Sequence, residues 1–185
     1  MTTTPIELGR PIAGDVVELI LDDHRRFETL LRQLRDITAD RDAVRRAFAA
    51  LHVAHAEAEE RHVYPTLRNK HAIGEHEAEH GEEEHAEGNQ ALLAVLELSE
   101  TSGEEFDDAV EELATKINHH LTEEELSILN PARTEVSDEA KAELGLAFAT
   151  ERNAQIDDDC GRLDNVRAIV DRDAKKGLLD GDEEE

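Results

Sequence analysis

Four times along this chain, apolar residues return at alternating steps of three and four, and each time a histidine occupies one of the steps. That period is one face of an α-helix. The first stripe is Val17, Ile20, His24, Phe27, Leu31 and Leu34. The second is Val44, Phe48, Leu51, His55, Glu59 and His62, leading to Pro65, with continuation towards Lys70 if the helix kinks there. A nearly all-polar half-helix over 75–87 opens the third, whose stripe reads His85, Asn89, Leu92 and Leu96. The fourth runs Val110, Leu113, Ile117, His120, Leu121, Glu124 and Ile128 before Pro131. Short links join stretches of similar length, which predicts an all-α fold: an up-down-up-down four-helix bundle over 12–135. A fifth helix over 138–155 and a shorter segment around Val166 make a C-terminal helical extension over 136–172. Residues 173–185 read as an acidic tail.

Composition agrees with helices. Hydrophobic residues reach 38%, but aromatics only 3%, so the core must be built from Leu, Ile, Val and Ala. Charge excludes some partners. Against 46 Asp and Glu stand 20 Lys and Arg, a formal net charge of -26. The basic residues form no stripe, which argues against nucleic acid and anionic membrane surfaces as partners. Solubility, or a salty medium that screens self-repulsion, accounts for such acidity. A lone cysteine, Cys160, in a polar segment has no partner at ligand spacing and reads as an incidental thiol. With no apolar leader and no membrane-length run, a cytoplasmic location is expected. There is no glycine-rich phosphate loop and no nucleophile elbow.

The chemistry sits on the stripes. His55 and Glu59 are four apart, about 40° around a helix, so both side chains enter one space. Phe48 and Leu51 above them are core, and an ionised carboxylate buried there needs positive charge nearby. No lysine or arginine lies on that stripe; a metal cation would supply the charge, and imidazole with carboxylate suits iron, manganese or zinc. The fourth helix repeats the device with two alternatives. His120 to Glu124 has the four-residue spacing. Glu125, like Glu59, stands six residues before a proline, and a local π-bulge would bring it onto the face of His120; Glu125 is the preferred candidate. His24 and His85 add one imidazole from each remaining helix. Four histidines and two carboxylates suffice for two metals.

In this order, His24, the His55 and Glu59 pair with Glu60, Val63, Tyr64 and Pro65 behind it, His85 with Leu92, Leu93 and Leu96, and the run 120–125 resemble the hemerythrin family, in its HHE cation-binding branch. The likeness covers roughly 15–135. It implies two iron ions, oxo- or hydroxo-bridged, that bind or react with dioxygen, peroxide or nitric oxide, or that sense iron; zinc or manganese is the lesser alternative. It also implies a carboxylate five after the helix-four histidine, which matches Glu125. The pattern departs at Asn89, where the family carries a second helix-three histidine. Water, Tyr64, His80 or His62 are the candidates to fill that place, and the gap leaves room for peroxide disproportionation. The other readings are an iron or redox sensor or store reporting through the fifth helix, and a mononuclear zinc bundle. Of the remaining histidines, His52, His71 and His76 are expected in solvent, and His62 and His119 at the rim.

Overall fold

The computed structural model describes residues 6–179, and among them every regular element is helical. Helix α1 (Val16–Arg35) starts at Asp15, whose carboxylate accepts the Val17 amide at 2.9 Å. Helix α2 (Arg41–Ala58) starts in the same way at Asp40, over the Ala43 amide at 3.0 Å. These side chains satisfy amide donors that a helix start leaves open. The rod does not end at Pro65. A π turn over Glu59–Val63 carries α2 into α3 (Tyr64–Asn69), with the Tyr64 amide bonded to the Glu59 carbonyl. Helix α4 (Glu75–Glu97) follows, then α5 (Glu104–Glu124). A second π turn, Glu125–Leu129, leads into α6 (Asn130–Glu135), with Pro131 just inside it. A proline lacks the amide donor and crowds the carbonyl one turn back; in both rods the turn widens immediately upstream of it.

Helix α1 packs on α2 and α5, and α4 packs on α2 and α5, so four rods close into a ring. Two apolar clusters fill it. One gathers Phe27, Leu31, Phe48, Leu51, Leu92 and Leu113. The other gathers Val17, Ile20, Val63, Leu67, Ile128 and Phe148. His24, His55, Glu59, His85, His120 and Glu124 are buried on the stretches that separate the two. A polar layer thus crosses the core.

Two further helices cover the ring. Helix α7 (Asp138–Asp157), capped by Ser137, lies on α2 and α1. Helix α8 (Leu163–Lys176) lies on α4 and ends at Gly177 in the left-handed conformation, φ 75°. It passes the boundary expected at 172. The acidic residues 180–185 lie outside the described residues. Two glycines let these helices seat: a Cβ on Gly145 would stand 1.9 Å from the Gly14 carbonyl oxygen, and one on Gly161 would stand 2.3 Å from the Ala50 nitrogen. No described helix is long and apolar enough to cross a membrane.

Candidate metal centre

Every imidazole in the buried layer has its outer nitrogen tied to a carboxylate of a neighbouring rod. Asp23 of α1 takes the Nδ1 proton of His55 on α2, at 3.2 Å. Glu60, in the π turn after α2, takes that of His85 on α4, at 2.9 Å. Glu84 of α4 takes that of His120 on α5, at 3.0 Å. Glu125, opening the second π turn, takes that of His24 on α1, at 2.9 Å. The chain of support passes once around the ring and closes. Each acid neighbours, in sequence, an inward residue of its own rod, and serves the imidazole of the next.

With Nδ1 fixed as donor, Nε2 points inward and carries the lone pair whenever the ring is neutral. The Nε2 atoms of His55, His85 and His120, together with Oε1 of Glu59, are buried without a hydrogen-bond partner. His55 Nε2 stands 3.1 Å from Glu59 Oε1, and His85 Nε2 stands 3.2 Å from Glu59 Oε2. His24 Nε2 lies 3.1 Å from Glu124 Oε2, with His120 Nε2 at 3.7 Å from the same oxygen. Donor atoms of His55, Glu59, His120 and Glu124 all fall within 4.8 Å of one another. Buried polar atoms left open in native interiors are rare. Several converging imidazole nitrogens and carboxylate oxygens have the donor chemistry of a transition-metal site, so the residues fit a metal.

The electrostatics show the same need for positive charge. Burial would strip the proton from His55, yet Glu59 and Asp23 outweigh it and raise its pKa to about 10. Burial is likewise overcome at His85, where Glu59 and Glu60 hold the pKa well above the usual value. Glu59 goes the other way: against burial, His55 and His85 keep its carboxyl far below the ordinary range. His120 is lowered, first by burial and then by the neighbouring His85 charge. The two buried glutamates are compensated by protons on imidazole or by a cation bound between them.

The structure turns Glu124, rather than Glu125, into the layer. Glu124 is buried at the centre, whereas the Glu125 side chain is 47% exposed. The reason is where the helix widens. The π turn begins at Glu125, one residue past Glu124, so His120 and Glu124 keep ordinary four-residue spacing. Glu125 instead orients His24 and borders a surface cavity of about 550 Å³ lined by Leu21, Leu121, Leu126 and Leu129.

Tyr64 belongs to the layer. Its hydroxyl donates to Glu124 Oε1 at 3.0 Å, lies 3.5 Å from Glu59 Oε2, and its ring stacks on His85. Asn89 is buried but turned away, its amide donating to Asp173 of α8 at 3.4 Å. His52, expected in solvent, is buried against Phe48 and Gly88, and burial keeps it neutral. His71 and His76 are exposed. His62 and His80 sit at the surface, 37% and 44% exposed, and His119 at 59%. Neither His62 nor His80 reaches the inner cluster.

The extension helices hold the layer from outside. Arg152 of α7, fully buried, grips both Asp23 oxygens at 2.6 and 2.8 Å, and its remaining donors reach the Leu8 and Gly9 carbonyls. Arg172 of α8 bonds Glu57 at 2.9 Å. Sequence reading missed Asp23, Glu84 and Arg152 as parts of the site; acids set beside stripe residues on all four rods are the signal that points to the first two.

A family model described as hemerythrin HHE cation-binding domain matches residues 15–132. A protein named DNA nickase from Nostoc sp. strain PCC 7120 is 26% identical over 137 residues, which cover 72% of this chain and 38% of that protein. The chain thus spans well under half the length of this relative. No solved structure matches.

Proposed function

This chain belongs to the hemerythrin HHE cation-binding family, and on that premise we propose that its buried layer holds two iron ions and binds or reacts with dioxygen, peroxide or nitric oxide. The observation that carries this reading is the ring of four carboxylate-oriented imidazoles around Glu59 and Glu124. His24, His55, His85 and His120 would ligate through Nε2, and Glu59 and Glu124 through their carboxylates. Bound iron supplies reversible oxidation and an electrophilic centre for a small oxygen or nitrogen ligand. The protein's own part is to orient the donors, exclude bulk water with the two apolar clusters, and offer the Tyr64 O–H beside the carboxylates. The cavity at Glu125 is the approach we assign to a small ligand. Closure of four rods into a ring through short connections supports the up-down-up-down arrangement.

Metal analysis decides it. Protein purified from iron-replete cells should carry about two irons per chain on this donor count, with near-ultraviolet charge-transfer absorption that changes when peroxide is added. Oxygen evolution would mark catalysis; a spectral change alone would mark binding. Trace iron only would overturn the reading. One specific observation favours a single-ion alternative: four donors, His55, Glu59, His120 and Glu124, already cluster within 4.8 Å. One zinc per chain and no visible absorption would establish it. A sensing or storage role draws support from Arg152, which ties α7 to the layer through Asp23, while Asp173 anchors α8 to α4 at Asn89. The net charge of -26 weighs against a nucleic-acid substrate for this chain, and we place it in the cytoplasm.

A further inference from the structure

We infer that His80, Glu84 and His119 form a second, outer site for one divalent transition-metal ion, on the face where α4 meets α5. His80 and Glu84 are four apart on α4, which stacks them on one face; His119 comes from α5. Their donor atoms lie within 4.8 Å of one another. Glu84 is the pivot. It is only 6% exposed, its Oε2 is bound to His120, and its Oε1 is a buried oxygen with no hydrogen-bond partner. That open oxygen faces His119 Nε2 at 3.4 Å and His80 Nε2 at 3.5 Å.

These separations are long for hydrogen bonds to a carboxylate. They match the spacing of co-ligands instead: two donors at about 2.1 Å from a tetrahedral zinc stand about 3.4 Å apart. Two imidazoles and one carboxylate leave the fourth position to water, so such an ion would exchange readily with solvent. Both rings are partly exposed, at 44% and 59%, which gives the ion a path. The two sites share one carboxylate: Glu84 binds outward through Oε1 while orienting His120 inward through Oε2. An ion captured at the surface would sit one side chain from the buried layer.

The test titrates zinc chloride into the metal-loaded wild-type chain and into H80A/H119A, with bound zinc counted by elemental analysis after gel filtration and by calorimetry. The difference between the two chains is the readout, because zinc entering the buried layer counts equally in both. Wild type should hold one more zinc per chain than the double variant, and H76A, which removes only the ring stacked on His80, should keep it. Equal uptake by wild type and H80A/H119A overturns the site, as does an absence of added zinc in wild type. Loss of the ion in H76A alone would also overturn it, by assigning the ion to the His76 and His80 pair. Far-ultraviolet circular dichroism checks the fold, and the single exposed-ring variant H119Q gives the same reading if the double variant misfolds.

Discussion

An imidazole ligates well only when its other nitrogen is held, and here the holders are residues that look idle in the sequence. Removing the charge of such a carboxylate typically weakens metal binding about 10–100-fold. Asp23→Asn and Glu60→Gln should each do so while leaving the inward donors in place, and chelator competition measures the loss; unchanged affinity in both would remove these acids from the site. The ligand stripes could be read because one helix face repeats at 3.6 residues. Asp23, Glu60 and Glu84 could not be assigned that way, since each serves an imidazole on a different rod and single-helix periodicity does not report crossings. Glu124 and Glu125 were separable only by knowing at which residue the π turn begins. Cys160 stands among acidic residues in the sequence, yet Gly161 lets the loop press on α2 and the thiol is buried, donating to the Ala50 carbonyl at 3.3 Å. Burial pushes its pKa up to about 12. The folded chain should therefore resist alkylation at pH 8 and react only on unfolding. Because the neutral thiol is favoured in the fold, its contribution holds below the ordinary thiol pKa and fades as pH rises from about 9 towards 12. Rapid labelling of native protein would contradict this.

Among the elements, α7 and α8 do more than extend the bundle. Their close seating depends on hydrogen at two positions, where an added methyl would meet backbone rather than a movable side chain. Gly145→Ala and Gly161→Ala should each cost about 1–3 kcal/mol as overpacking, read from urea unfolding midpoints at constant slope. The burden on α7 is greater at Arg152, which compensates the buried Asp23 charge. Arg152→Met leaves that carboxylate short of its main cation, a change that costs about 3–5 kcal/mol in buried pairs. It should weaken metal binding as well, since Asp23 orients His55; destabilisation with unaltered metal affinity would show that the extension serves packing alone. The helices themselves were legible from apolar periodicity, including the extension. Continuation past Pro65 was legible as a kinked alternative, whereas Pro131 read as the end of its rod. Only the widened turns over Glu59–Val63 and Glu125–Leu129 allow both rods to continue.

At the scale of the whole molecule, a layer of buried histidines and carboxylates divides the apolar core into two, and the chain folds around a requirement for positive charge. An ion that binds only the folded state adds stability by mass action, about 4 kcal/mol when present at a thousand times its dissociation constant. For a chain of this size that corresponds to roughly 8–16 °C in midpoint temperature. Stripping metal with a chelator should lower the unfolding temperature by that order, and readdition should restore it. The loss should not be uniform. Asp23 joins His55 to Arg152, and Asn89 joins α4 to Asp173, so a layer loosened by metal removal slackens α7 and α8 with it. Hydrogen exchange after chelation should therefore rise in 138–176 as well as around the ligands, and limited proteolysis should cut first near 158–162, between those helices. Protection lost at the ligands alone, with 138–176 unchanged, would show that the extension does not respond to the metal, and would remove the physical basis for a sensing role.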